Sequence, residues 1–273
     1  MKIVFGCAQF SNNYISGQRN FDLSKIKNLL KIIKKNKVRY IDYAPSYEGN
    51  IPFSKIDFSK FKIYSKLRKI PKSITKKNLR SFIFKEIEND LKVLKVKKLE
   101  GYYVHETNDI LKFKNLLFKI MLELKKRKFI KKICVSHYDI FYEKKIYKYF
   151  KPDLIQVPLN IFDYNQKKIK LLKKIKKKKI EIFIRSIFLK GIVLTDSKSI
   201  DRKLHGIREN MSILEKKYQI DSYSKKIKYS LDVLFKNKFF EGFIFSPASE
   251  YELIEFLDHF HSKKKFKFIN IKK

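Results

Sequence analysis

Short apolar runs alternate along this chain with longer, lysine-rich stretches of helical period. The run IVFGCA (3–8) reads as a strand, because branched and aromatic residues dominate it. Asp22 then stands where a helix cap belongs. The LSKIKNLLKIIKKN segment after it sets Ile26, Leu29, Leu30 and Ile33 on one helical face. VRYID (38–42) and FKIYSKL (61–67) are the next two strands. Thr75 is a candidate cap for a helix whose stripe is Leu79, Phe82, Ile83, Ile87, Leu91 and Leu94. LEGYYVH (99–105) follows as a strand and 109–127 as a helix. Next come a strand at IKKICVS (130–136), a helix near 140–149, a strand at DLIQV (153–157) and a helix over 165–177. IEIFIRS (180–186) and FEGFIFS (240–246) complete the strands. An irregular stretch with helices near 209–218 and 222–236 separates them, and a helix from about 250 to 260 follows the second.

Eight strands, each followed by a helical pattern or a helix-containing excursion, imply a parallel sheet. No break in composition marks a linker, so the pattern favours one closed (β/α)8 TIM barrel over an open, doubly wound sheet. The expected domain is a barrel over 1–262, followed by a basic tail over 263–273. The length of 273 residues suits a single domain of this kind.

Composition refines that picture. A hydrophobic share of 44% is ample for a large core. The net charge of +38 would by itself suggest a polyanionic partner. The lysines, however, are spread over every segment, as on solvated outer helix faces, so no specific nucleic-acid partner is expected. Two distant cysteines, Cys7 and Cys134, fit a reducing compartment rather than a disulfide framework, and as strand residues they read as small buried hydrophobes. The apolar start is too short for a secretory signal, and no long uncharged segment follows. The expectation is a cytoplasmic protein without membrane contact; the sequence carries no signal for oligomeric state.

In a barrel of this type, polar residues at the C-terminal strand ends face the active-site mouth. Asp42 ends the second strand, Lys66 lies at the end of the third, and His105 ends the fourth. Tyr47 follows Asp42 by five residues. Alone, each is unremarked: lysine is abundant, Tyr47 is one of 16 tyrosines, and a histidine closing a strand is commonly a structural hydrogen-bonder. Their joint placement makes a proton-transfer site. A phenol releases its proton near pH ~10, and a neighbouring ammonium lowers that value. Lys66 can supply the charge, Asp42 can hold Lys66, Tyr47 can serve as general acid, and His105 can orient a carbonyl oxygen. No side chain supplies a nucleophile for the carbonyl carbon; a bound hydride carrier would.

These residues resemble the aldo/keto reductase family. IDYAPSYEG is similar to that family's Asp-to-Tyr segment, YSKL to the segment with its lysine, and YYVH to the segment ending on its histidine. The resemblance implies Asp42, Tyr47, Lys66 and His105 as the catalytic set. ICVSHYD implies nicotinamide contacts from Ser136 and His137, and IQVPLNIFD implies another from Gln156. RSIFLKG resembles the pyrophosphate-binding turn, implicating Ser186, Phe188 and Gly191. At FSPASEYEL, where NADP-preferring members place basic groups, this chain offers Ser246, Ser249, Glu250 and Glu252. The implied cofactor is NADP(H), with NAD(H) second; the implied substrate is a small carbonyl compound, and no metal is expected. The resemblance runs from residue 3 to about 258.

Three departures stand out. Arg185 occupies the position where many members stack a tyrosine on the nicotinamide, His137 replaces the commoner asparagine, and Glu48 separates Tyr47 from Gly49. With the altered SNNYISG loop, they motivate a second reading: a barrel that binds nucleotide or a protein partner without turnover. The polar SNNYISGQRN segment (11–20) also suggests a polar carbonyl such as a keto-sugar.

Overall fold

The computed structural model describes residues 1–10, 22–48 and 52–262. The altered loop at 11–20 and the basic tail at 263–273 lie outside the described residues. Eight parallel strands form a closed barrel in sequence order: β1 (Lys2–Gly6), β2 (Tyr40–Asp42), β3 (Lys62–Leu67), β4 (Leu99–Val104), β5 (Ile130–Ser136), β6 (Leu154–Pro158), β7 (Glu181–Arg185) and β8 (Gly242–Phe245). β8 pairs with β1 to close the ring, with Ile3 opposite Phe243 and Val4 opposite Ile244. The expected (β/α)8 architecture is the one observed.

The helices are α1 (Leu23–Lys35), α2 (Leu79–Leu94), α3 (Thr107–Phe113), α4 (Asn115–Lys126), α5 (Glu143–Tyr147), α6 (Gln166–Lys177), α7 (His205–Tyr218), α8 (Tyr223–Phe235) and α9 (Glu250–His261). Asp22 caps α1, its carboxylate accepting from the Lys25 amide at 2.7 Å. Ile26, Leu29, Leu30 and Ile33 are buried as their spacing requires; burying each is worth about 1.5–3 kcal/mol. No described helix is long and apolar enough to cross a membrane.

Four expectations shift. Thr75 is not the cap of α2: its own amide donates to the Asn78 side chain at 2.7 Å, so a local turn uses those groups and the helix starts at Leu79. The helix expected over 109–127 is two, because Lys114 (φ 49, ψ −133) breaks it. The helix near 140–149 reduces to a 3-10 turn at Ile140–Tyr142 and the short α5. The β2–β3 connection carries 3-10 turns at Pro45–Tyr47 and Phe53–Lys55 instead of an α-helix among its described residues.

Strand alternation sorts the core into two parts. One face packs the barrel against its helices. The other fills the lumen with Val4, Tyr64, Tyr103, Cys134, Leu154, Phe183 and Ile244. Gly101 makes that filling possible: a Cβ there would lie 2.6 Å from the Tyr64 ring and 2.7 Å from the Cys134 sulfur. The lumen is a solid plug, so chemistry is confined to its ends. Cys7 and Cys134 are both buried with free thiols.

Candidate active site

Backbone ladders continue past the strand ends and fix the rim. The Cys7 amide donates to the Asp42 carbonyl (2.9 Å), and the Tyr43 amide to the Tyr64 carbonyl (2.8 Å). Alternation turns Asp42, the last residue of β2, and Lys66, the penultimate residue of β3, inward above the plug. Lys66 Nζ donates to Asp42 Oδ2 at 2.5 Å, to the Tyr47 hydroxyl at 3.0 Å, and to the Tyr43 carbonyl at 3.4 Å. Tyr47 reaches Lys66 from the 3-10 turn after β2, which Pro45 opens. The acid, ammonium and phenol therefore form one hydrogen-bonded chain.

Both members of the ion pair are buried. Burial raises the Asp42 carboxyl and lowers the Lys66 ammonium, and their contact opposes both effects. Burial also pushes the Tyr47 phenol well above its usual range, with the Asp42 charge adding to the rise. That reverses the expectation of a lowered phenol: desolvation of the phenolate outweighs the opposing Arg185 charge. The proton stays on Tyr47 at ordinary pH.

His105 lies directly beyond β4 and makes no hydrogen bond to this chain of three. Its Nε2 is instead 3.1 Å from the Tyr138 hydroxyl, with the two rings stacked at 5.8 Å. Burial, with the charges of Lys66 and Arg185, lowers the imidazole to about 4, so it is neutral above that pH. Tyr138 was not a sequence candidate. Its place on the rim, directly after the strand-end Ser136 and His137, was the available signal. It also stacks against Arg185, whose guanidinium carbon is 5.0 Å from the ring centroid.

The residues suggested for cofactor binding divide into three groups. Ser136 and Gln156 are register partners on β5 and β6. The Ser136 hydroxyl and both amide atoms of Gln156 are buried without hydrogen-bond partners. An orphaned hydroxyl beside an orphaned amide suits a carboxamide, which needs both a donor and an acceptor, so these residues fit a nicotinamide. Arg185, Ser186, Phe188, Gly191 and Ser246 belong to a cleft that runs from Asp42 and Tyr47 to Glu252 at the start of α9. Within it the β7 turn holds Ser186, Leu189, Lys190 and Gly191 at positive φ, from 47° to 93°. Such left-handed turns gather amide groups in a way that suits a phosphate. The Phe188 ring does not join in: it packs on Phe245 and Phe256 in the core. His137 forms the third group. Its imidazole turns to the Tyr147 hydroxyl on α5 (3.1 Å), and only its carbonyl faces the mouth, accepting from Arg185.

Comparison with known proteins places the fold and the family. The sequence model of the Aldo/keto reductase family matches residues 2–234. No curated relative matches the chain by sequence. The fold is similar to the holo form of an aldo-keto reductase from Bacillus halodurans, at 12% identity and a TM-score of 0.73, covering 96% of this chain and 87% of that one. It is also similar to a glycerol dehydrogenase from Gluconobacter oxydans, at 15% identity and 0.66, covering 96% and 87%. A mutant of Gox0644 in complex with NADPH matches at 18% identity and 0.63, covering 96% and 84%. With the family match extending over most of its length, the chain belongs to the aldo/keto reductase family.

Proposed function

We infer that the protein is an NAD(P)H-dependent reductase of aldehydes or ketones, with Tyr47 as the proton donor. The observation that carries this reading is the chain Asp42–Lys66–Tyr47 at the wall of the cleft. The NADPH complex of a similar fold supports the class of cofactor. A nicotinamide cofactor, when bound, supplies hydride to a carbonyl carbon. Ser136 and Gln156 would hold its carboxamide, and the turn at Ser186–Gly191, with Ser246, would hold its phosphates.

The chain's own residues then handle the proton. As the carbonyl oxygen gains negative charge it becomes a stronger base than a phenolate, so Tyr47 gives up its proton despite its raised pKa. Lys66, 3.0 Å from the phenol oxygen, stabilises the phenolate left behind, and Asp42 holds Lys66 in place. Neutral His105 can donate a hydrogen bond to the same oxygen without protonating it. Tyr138 must first release Nε2, or His105 must use its other nitrogen. The polar segment at 11–20 favours a polar carbonyl such as a keto-sugar.

A barrel that binds nucleotide without turnover is the second reading, and the observation favouring it is the Tyr138 hydroxyl on His105. Fluorescence titration with NADPH and NADH, beside carbonyl-dependent oxidation of each, separates the two. Tyr47→Phe is expected to keep nucleotide binding while reduction falls by on the order of 10²–10⁴-fold. Saturable binding with no turnover of any carbonyl by the wild type favours the second reading; no nucleotide binding at all rejects both.

A further inference from the structure

We propose that Arg185 is the receptor for a carboxylate on the substrate, so that the preferred carbonyl compound is an aldehyde or keto acid with its anionic group close to the reacting carbon. The proposal rests on the reductase reading and narrows it to a substrate class.

The argument is one of charge. Asp42 and Lys66 neutralise each other wherever their shared proton sits, and His105 is neutral above about pH 4. Arg185 is left as an uncompensated cation at the mouth. Among the described residues it makes no ion pair. Its Nη2 donates to the His137 carbonyl (3.1 Å) and its Nη1 to the Ser186 hydroxyl (3.4 Å). Nε is buried with no partner.

The acids of the rim are committed elsewhere. Asp139 accepts from the Phe141 amide, Glu48 from the Phe53 amide, and Glu252 from the Ala248 amide. The segments 11–21, 49–51 and 263–273 contain no Asp or Glu in their sequence, so they bring no acidic side chain either. A guanidinium with spare donors, against an aromatic face and in no ion pair among the described residues, is built for an anion from outside.

Position decides which anion. Arg185 ends β7 and bears electrostatically on Asp42, Tyr47, Lys66 and His105 alike. It therefore stands at the reacting end of the cleft. The left-handed turn suited to a phosphate begins one residue later and leads away toward Gly191 and Leu194. A carboxylate on Arg185 would bring an attached carbonyl next to Tyr47. The same guanidinium would also bind a phosphate of the cofactor if one reached it, and the experiment must tell the two apart.

The test compares wild type with Arg185→Met and Arg185→Lys, each first checked for a cooperative thermal melt. The probes are phenylglyoxylate, a keto acid with its carboxylate on the reacting carbon, and its methyl ester, which differ in charge on the same ring. The expected result is a wild-type kcat/KM ratio in favour of the acid. Arg185→Met lowers that ratio by about tenfold to a hundredfold, the worth of a charged hydrogen bond, and Arg185→Lys restores part of it. An unchanged ratio overturns the proposal.

A calorimetric arm needs no turnover. Wild type is expected to bind benzoate saturably and benzamide weakly, with the difference lost in Arg185→Met. Equal benzoate binding by wild type and Arg185→Met overturns the proposal even if the protein reduces nothing. Discrimination without any NADPH oxidation would keep the anion site and reject the reductase. Finally, if Arg185→Met weakens NADPH and adenosine bisphosphate equally and leaves the acid-to-ester ratio intact, the guanidinium serves the cofactor and the proposal falls.

Discussion

The two ends of the barrel lumen both carry charges, and they behave in opposite ways. At the bottom, Lys132 pairs with Glu181 at 2.6 Å and Lys2 approaches the same carboxylate at 3.5 Å. Their side chains remain 15–34% exposed. There burial pushes the Glu181 carboxyl up, but the Lys132 and Lys2 contacts outweigh it and the net shift is down. At the mouth, the 2.5 Å pair of Lys66 and Asp42 is 2% and 5% exposed, and burial wins over attraction for both partners. The chemistry of the two pairs is the same; water decides the sign. The wet end is a closure, with Lys2 also over the Tyr40 and Phe183 rings. At the dry end neither charge is secured by solvent, the condition that the proposed proton transfer uses.

The sharpest way to break this comparison is to remove one lysine from each end. Lys66→Met leaves a carboxyl buried without its partner. It is expected to lower carbonyl reduction by on the order of 10²–10⁴-fold and stability by about 3–5 kcal/mol, read by steady-state rates and urea unfolding. Lys132→Met should cost within about 1 kcal/mol and leave the rate alone. Equal losses from the two variants would show that burial does not distinguish the ends.

A smaller effect concerns protons on two buried histidines, one at the mouth and one turned away from it. His105 and His137 are both held at about 4, chiefly by burial, against an ordinary value of 6.5. As pH falls below 6.5 the unfolded chain takes up those protons before the folded one does. Stability is therefore lost between pH 6.5 and about 4, with no further loss from these groups below that. In His137→Gln the loss across that window should be shallower than in wild type, measured by chemical denaturation at stepped pH. An unchanged slope would mean that His137 is not held neutral by its site.

The smallest expected effect lies at the far end of the cleft. Glu252 stands on its wall at the start of α9, where NADP-preferring relatives are expected to place basic groups. Glu252→Gln should raise the ratio of NADPH to NADH affinity by about two- to fivefold, the scale of a partly exposed charge contact. A fall in that ratio would put the ribose phosphate elsewhere.

Much of this was legible in the chain. Hydrophobic period identified all eight strands, and Asp22 announced α1 because its capping bond is local, three residues long. Asp42, Tyr47 and Lys66 were legible through their spacing and strand-end positions. Thr75 misled because Asn78 competes for the same turn, and the break at Lys114 lies in a positive-φ backbone conformation that no residue type there advertises. Tyr138 was passed over because its partners, His105 and Arg185, are 33 and 47 residues away and meet it only across the rim.

Pattern and spacing, which depend on neighbours along the chain, determined the barrel and the strand-end placement of Asp42 and Lys66, with Tyr47 close after Asp42. Tertiary structure alone decided the electrostatics. Whether a charge is paired, buried or stranded depends on which distant groups and how much water surround it. The sequence shows that Arg185 departs from the common pattern, but only the folded rim shows it without a counter-charge among the described residues. In the same way, only burial turned the Tyr47 phenol from one expected to ionise easily into one that keeps its proton.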